Sequence, residues 1–200
     1  MRKEFTRIIE NILDKDIVFI TGDLGFGAFE NLKSILKERF INAGVAEQSM
    51  VSMAAGIASQ GYKVFVYSIA PFVVYRCLEQ FRNDVCFHKL PVFLVGNGGG
   101  YGYGIMGSSH HAIEDISCLS SLPNITCYIP SFKNDIEPII NQMLLEPKPT
   151  YLRLGTGADE QKENYNLSEL DINYIIKSKE SNITILTLGI MINNAIKASL

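Results

Sequence analysis

"RFINAGVAEQSMVSMAAGIASQGYKVFVYSI", residues 39–69, decides the fold class. "RFINAG" reads as a short strand. "AEQSMVSMAAGIASQG" then carries apolar residues at helical spacing and stops at Gly61, and "KVFVYSI" is a second strand rich in β-branched and aromatic residues. The same alternation continues in both directions. "IVFITGD" (17–23) reads as a buried strand ending in a Gly-Asp turn, and the spacing predicts a helix through "YRCLEQFRNDVCFHK" (75–89). "LPVFLVGNGGG" (90–100) is a strand entering a glycine-rich loop, followed by a helix around "SHHAIEDISCLSSLP" (109–123) and the strand "NITCYIP" (124–130). "SFKNDIEPIINQMLLE" (131–146) is a helix with Ser131 as N-cap and Asp135 and Glu137 near its positive end, and "PTYLRLG" (149–155) is a further strand. Strands separated by helices give an α/β fold, a parallel sheet flanked by helices on both faces. In such sheets functional groups gather in the loops at the carboxyl ends of the strands.

The 200 residues are 47% hydrophobic and 20% charged, ordinary for a globular chain with a core. A net charge of -3 gives no electrostatic case for nucleic acid or an anionic membrane. Cys77, Cys86, Cys118 and Cys127 have no metal-binding spacing and read as reduced thiols of a cytoplasmic protein. The start, "MRKEFTRIIENILDKD", is an amphipathic helix pattern whose carboxylates come too early for a signal peptide, and no apolar run approaches the roughly 20 residues of a membrane span. The expected division is a domain over 1–157, a polar linker over 158–175, and the beginning of a second α/β domain over 176–200. In that last part "ITILTLGIMINNAIKASL" starts a new strand and helix and is cut short.

Three features suggest chemistry. Glu47 stands among small and apolar residues, with no lysine or arginine between Arg39 and Lys63. It is either a helix N-terminal carboxylate favoured by the dipole or a buried carboxylate poised to exchange a proton. "VGNGGGYGYGIMGSSHHAIED" (95–115) has seven glycines in 21 residues and then two histidines, without the pattern of a phosphate-binding P-loop. His110 and His111 suit acid–base work or a surface role, and Glu114 and Asp115 could orient a histidine or simply open a helix. Phe72, just past the strand 63–69, is core or a ring face for a flat ligand. Arg76 and "EQFRND" (79–84) read from spacing as an ion network on a helix face.

"RFINAGVAEQSM..AAG", "YSIAPF", "EQFRND", "GSSHHAIEDIS", "LPNITCYIPS" and "PTYLRLG" fall in the order found in the pyrimidine-binding domain of thiamine-diphosphate enzymes. Over about residues 16–155 the chain resembles the transketolase branch, above all its split form, in which this half is a separate subunit. The resemblance implies the thiamine-diphosphate-binding fold and a two-carbon ketol transfer. It makes Glu47 the glutamate that hydrogen-bonds the aminopyrimidine ring, favouring the tautomer that takes the proton from the thiazolium carbon. A cation nearby would hold that glutamate ionised, so the expectation is a Glu47 without a positive partner. By the same resemblance Phe72 packs on the aminopyrimidine, and Asp23, Ile69 and Arg76 line the cofactor cleft. His110 faces the substrate, joined at the substrate end by His111, Gly98 and Met106.

The departures concern the substrate. Where transketolases hold a sugar phosphate with a serine, a histidine and an arginine, this chain has Gly27, Gly98 and Thr156, and Met106 replaces the acid that contacts a substrate hydroxyl. Each charge-assisted contact is worth about 1.5–3 kcal/mol, so the expected substrate is an atypical sugar: nucleotide-linked, branched or without a terminal phosphate. The glycine loop would give it room. The Gly-Asp-Gly…Asn motif that holds magnesium and diphosphate in this family is absent from the sequence. The resemblance therefore implies a diphosphate-binding partner subunit carrying the Mg2+ ligands, in an α2β2 assembly. The β subunit of a 2-oxo acid dehydrogenase and a non-catalytic paralogue remain as alternatives.

Overall fold

Successive residues of a strand point to opposite faces, so strands apolar at every position must be covered on both sides. The computed structural model describes residues 1–12, 14–155 and 182–199, and among them six strands form one sheet. They are β1 (Ile17–Thr21), β2 (Phe40–Asn42), β3 (Lys63–Ile69), β4 (Val92–Asn97), β5 (Thr126–Tyr128) and β6 (Thr150–Leu154). Their spatial order is β2-β1-β3-β4-β6-β5 and every pairing is parallel. The register sets Phe19 beside Phe40 and Phe65, and Phe65 beside Phe93.

On one face Phe19, Phe65, Tyr67, Phe93, Val95 and Leu152 pack under α1 (Arg2–Asn11), α2 (Glu30–Leu36) and, further along the chain, the helix Ile136–Leu145. On the other, Ile20, Val64, Val66, Leu94 and Tyr151 pack under α3 (Glu47–Ala58) and α4 (Ala70–Tyr75). The short α5 (Leu78–Gln80), the π-helical turn Phe81–Cys86 and α6 (Asp115–Ser120) complete that layer. The helix Ile136–Leu145 is α7, and α8 (Ile192–Ala198) packs Ile192 against Phe132. Parallel strands bring the ends of β1, β2, β3, β4 and β6 to one edge. The chain moves from β1 outward to β2 and then back across to β3, so the edge has a switch point between β1 and β3.

The fold class read from the sequence is the one observed, and four local expectations are corrected. The helix expected over 75–89 breaks after Tyr75 and resumes as α5 and a π turn, in which the Phe87 N–H donates to the Arg82 carbonyl five residues back. That extra residue per turn lets Phe81, Val85 and Cys86 all face the core. The histidines do not open a helix: Ser108–His110 is a single 3-10 turn, and α6 begins at Asp115. Ser131 is not an N-cap; instead the Asp135 carboxylate accepts from the backbone N–H groups of Ser131 and Phe132 at 2.9 and 2.8 Å. Residues 182–188 form no strand, having no sheet beside them among the described residues. The linker over 158–175 and Thr156 lie outside the described residues. Helix α2 has no counterpart in the sequence reading; "ENLKSIL" is seven residues long, too short for its period to stand out.

All four cysteines are free thiols, and burial pushes Cys77 and Cys86 up to about 12, far from reactive thiolates. Among the described residues no helix is long and apolar enough to cross a membrane.

Phe19 touches the rings of Phe5, Phe29, Phe40 and Tyr67, tying β1 to both α1 and α2. Phe19→Ala should cost about 3–5 kcal/mol, read as a lowered midpoint in urea unfolding. A loss below about 1 kcal/mol would show that this face of the sheet is not a packed core.

Candidate active site

Two backbone arrangements place the polar groups at the carboxyl edge. The Asn42 side chain, at the end of β2, accepts from the N–H groups of Asp23 and Gly44 at 3.0 Å and donates to the Asp23 carboxylate at 3.2 Å. This knots the loops after β1 and β2 and holds Asp23 with a positive φ of 37°. Residues 43–46 then turn the chain into α3, whose first residue is Glu47. There the carboxylate sits where the helix dipole favours negative charge.

Glu47 is only 4% exposed, yet it is not isolated. Arg76 Nη1 donates to its Oε2 at 3.0 Å, and Ser68 Oγ, near the end of β3, reaches Oε1 at 3.4 Å. The expected carboxylate without a cation is thus corrected. The cation comes from 29 residues along the chain, beyond the reach of any local pattern. The Arg76 guanidinium also lies 3.9 Å over the Phe72 ring, so one side chain joins the buried acid to the half-buried aromatic. Arg76 is 47% exposed, leaving one side of this ion pair to solvent.

Phe72 in turn meets the His110 ring at 5.1 Å, close to edge-on. On its other side His110 lies 5.7 Å from the Tyr103 ring, whose hydroxyl accepts from Asn97 Nδ2 at 2.8 Å. Glu47, Arg76, Phe72, His110 and Tyr103 therefore form one continuous strip over the ends of β3 and β4, and Ile69 caps the start of α4 beneath it. Tyr103 and Asn97 were not legible as site residues; tyrosines between glycines carry no spacing signal.

The other candidates are placed differently. His111 braces its own loop, with Nε2 3.0 Å from the Gly104 carbonyl oxygen and its ring against Tyr101. Met106 is exposed on the same loop. Gly98 does not open free space beside His110, because a Cβ there would collide with the Tyr103 ring. Tyr103 and Gly98 also line a cavity of about 480 Å³ together with Arg2, Lys3 and Lys133. Neither Glu114 nor Asp115 orients a histidine directly. Glu114 bonds Tyr75, whose hydroxyl is pushed up to about 12 by burial and then by that carboxylate, and Asp115 is buried elsewhere. Among the described residues no three His, Cys, Asp or Glu side chains gather as a metal-binding group.

Residues 1–158 match the family described as "Transketolase, pyrimidine binding domain". The chain belongs to this family. Relatives of this transketolase-family chain include an apulose-4-phosphate transketolase subunit of Phocaeicola vulgatus, 34% identical over 78% of this chain and 51% of that protein. Another is "1-deoxy-D-xylulose-5-phosphate synthase" of Clostridium botulinum, 30% identical over 98% of this chain and 32% of the relative. Among solved structures, "Split gene transketolase, inactive beta4 tetramer" superposes with a TM-score of 0.71 at 27% identity, covering 82% of this chain and 53% of that one. A Pichia stipitis transketolase shares the fold with a TM-score of 0.84 at 21% identity, over 98% of this chain and 32% of its own. The chain thus spans from about a third to about half of the length of these relatives.

The Glu47–Arg76 pair predicts a measurable coupling. In a double-mutant cycle with Glu47→Gln and Arg76→Met, urea unfolding of the chain should give an interaction of about 1 kcal/mol, modest because Arg76 is half in water. A value under about 0.3 kcal/mol would remove the pair from the folded chain in solution.

Proposed function

We propose that this chain is the pyrimidine-binding subunit of a heteromeric, thiamine-diphosphate-dependent transketolase-like enzyme that transfers a two-carbon ketol unit. The observation that carries this reading is the buried Glu47 at the carboxyl edge of a parallel sheet, in line with Phe72 and His110. The donor set suits an aminopyrimidine. Glu47 keeps Oε1 only loosely held by Ser68 and so able to meet a ring nitrogen, while Phe72 offers an aromatic surface beside it. Thiamine diphosphate, when bound, would supply the stabilised carbanion that carries the ketol fragment. Glu47 would hydrogen-bond the aminopyrimidine through Oε1, the oxygen left available while Arg76 fixes Oε2; despite the cation beside it, this oxygen is what the carboxylate offers the ring. Asp23, Ile69 and Arg76 would line the cofactor cleft, and His110 would face the reacting sugar, where an imidazole can move a proton at a substrate hydroxyl.

The diphosphate and its magnesium would be held by a partner subunit in an α2β2 assembly. A split-gene relative solved as an inactive β4 tetramer supports the need for that partner. So do the apolar side chains Phe26, Val45, Tyr101, Ile105 and Met106, all exposed in loops at this edge. The sugar would be an atypical one, nucleotide-linked, branched or without a terminal phosphate. By the resemblance Gly27, Gly98 and Thr156 stand where three phosphate contacts would be, and the Tyr103 ring occupies the space beside Gly98. His111, Gly98 and Met106 would border it. Among these sugars the cavity beside Tyr103, where Arg2, Lys3 and Lys133 outnumber the one carboxylate, Glu4, favours an extended one with an anionic group.

Co-expression with a chain carrying the Gly-Asp-Gly…Asn motif tests the reading. The assembled pair should transfer ketol units that neither chain transfers alone, and Glu47→Ala should lower kcat by about 100-fold or more. Undiminished turnover of Glu47→Ala would overturn the role of Glu47. Rapid turnover of xylulose 5-phosphate with ribose 5-phosphate would overturn the atypical substrate.

A further inference from the structure

A second buried carboxylate lies at the root of the histidine loop, outside the strip from Glu47 to Tyr103. Asp115, the first residue of α6, is fully buried. Its Oδ2 accepts from the Tyr151 hydroxyl at 2.7 Å, and Arg153 Nη1 donates to Oδ1 at 3.0 Å and reaches Oδ2 at 3.3 Å. Tyr151 and Arg153 both come from β6. The Arg153 side chain is 16% exposed and runs flat under the loop after β4, so a Cβ on Gly99 would collide with it. One residue further, Gly100 and Ala112 exchange backbone hydrogen bonds of 2.7 and 3.0 Å in an isolated antiparallel bridge. The excursion 99–114 is thereby clasped at both roots: Gly99 rests on Arg153, and Asp115 is held by Arg153 and Tyr151. Between the roots there are only short 3-10 turns, the second of which carries His110.

A buried ion pair is a poor way to gain stability, since the desolvation of two charges offsets most of their attraction. What it does provide is direction: Arg153 Nη1 is shared between both oxygens of a carboxylate that also takes the Tyr151 hydroxyl and the Ile116 N–H, and these charge-assisted bonds hold the buried pair in place. We infer that Arg153 and Asp115 are positioning residues, a buried clasp that sets the height of the 99–111 loop and so the contact of His110 with Phe72 and Tyr103. This rests on the reading of His110 as a substrate-facing group. It extends that reading to two residues that touch neither the cofactor face nor the substrate side of the cleft.

The test separates positioning from stability by removing both charges together. Arg153→Met alone strands a buried carboxylate and should destabilise the chain. The double variant Arg153→Met with Asp115→Asn leaves no unpaired charge, and its amide oxygen still accepts from Tyr151. Its unfolding midpoint should return close to that of the parent. In the assembled enzyme its kcat should stay about 10–100-fold down, the cost of a displaced reacting group, with the KM for the donor sugar changed less than twofold. In the isolated chain, amide hydrogen exchange at residues 101–110 should be at least tenfold faster in the double variant while β3 and β4 keep their protection. Arg153→Lys should recover part of the lost kcat. Recovery of kcat together with stability in the double variant, or parental exchange in the loop, would overturn the clasp. If the parental assembly transfers no ketol unit at all, the transketolase reading fails, and the exchange measurement still decides whether the clasp holds the loop.

Discussion

A parallel sheet covered on both faces leaves polar chemistry one place to go, the edge where its strands end. That constraint organises this chain. Phe19, Phe65, Phe93 and Leu152 are sealed by α1, α2 and α7, and Ile20, Val66, Leu94 and Tyr151 by α3, α4 and α6. Neither face has room for a solvated group. The buried carboxylates Glu47 and Asp115 each occupy the first residue of a helix that begins at that edge. The helix dipole lowers the cost of their burial there, though by less than the desolvation costs. Each therefore takes an arginine: Arg76 for Glu47 and Arg153 for Asp115.

The two pairs are built alike and exposed differently, and that difference separates their uses. Arg153 is largely covered and bonds both oxygens of an acid that also holds a tyrosine hydroxyl, so every lone pair that matters is committed. Such a site can fix geometry and cannot exchange a proton with a ligand. Arg76 is half exposed and engages one oxygen of Glu47, while Ser68 reaches the other at the long end of hydrogen-bonding distance. That site keeps an acceptor in reserve. The physical case for the proposed role of Glu47 as a cofactor-facing carboxylate therefore rests on incomplete satisfaction, not on isolation from positive charge.

What could be read from the sequence follows the range over which each signal acts. Strand and helix alternation is local, and "IVFIT", "KVFVYSI" and "VFLVGN" appear in the structure within a residue or so of where their composition puts them. The π turn at Phe81–Cys86 was illegible because one extra residue per turn leaves an almost helical apolar spacing. Glu47 stood out because its neighbours are apolar; the inference of an unpartnered charge failed because Arg76 is brought to it by the β3–α4 crossing, not by sequence proximity. Arg153 and Asp115 are separated by 38 residues, and neither falls in a pattern that announces the other. Tyr103 carries no such pattern either, although its ring takes the very space that a glycine at position 98 suggests for a substrate.

The edge that collects the acids also collects apolar surface. Phe26 and Val45, in the loops after β1 and β2, and Ile105 and Met106, in the loop after β4, stand out into solvent around the strip from Glu47 to Tyr103. A loop of glycines and 3-10 turns gains nothing by displaying isoleucine and methionine to water, and apolar groups that ring a polar cleft are the pattern of a surface that another surface covers. Burial by such a surface would remove water from the open side of Arg76. The Glu47 pair would then sit in a medium of lower dielectric, where its hydrogen bonds strengthen and an incoming ring nitrogen competes with fewer waters for Oε1. On the proposed reading the half-open ion pair and the apolar rim would be one feature: a site whose chemistry is completed when a partner covers its rim.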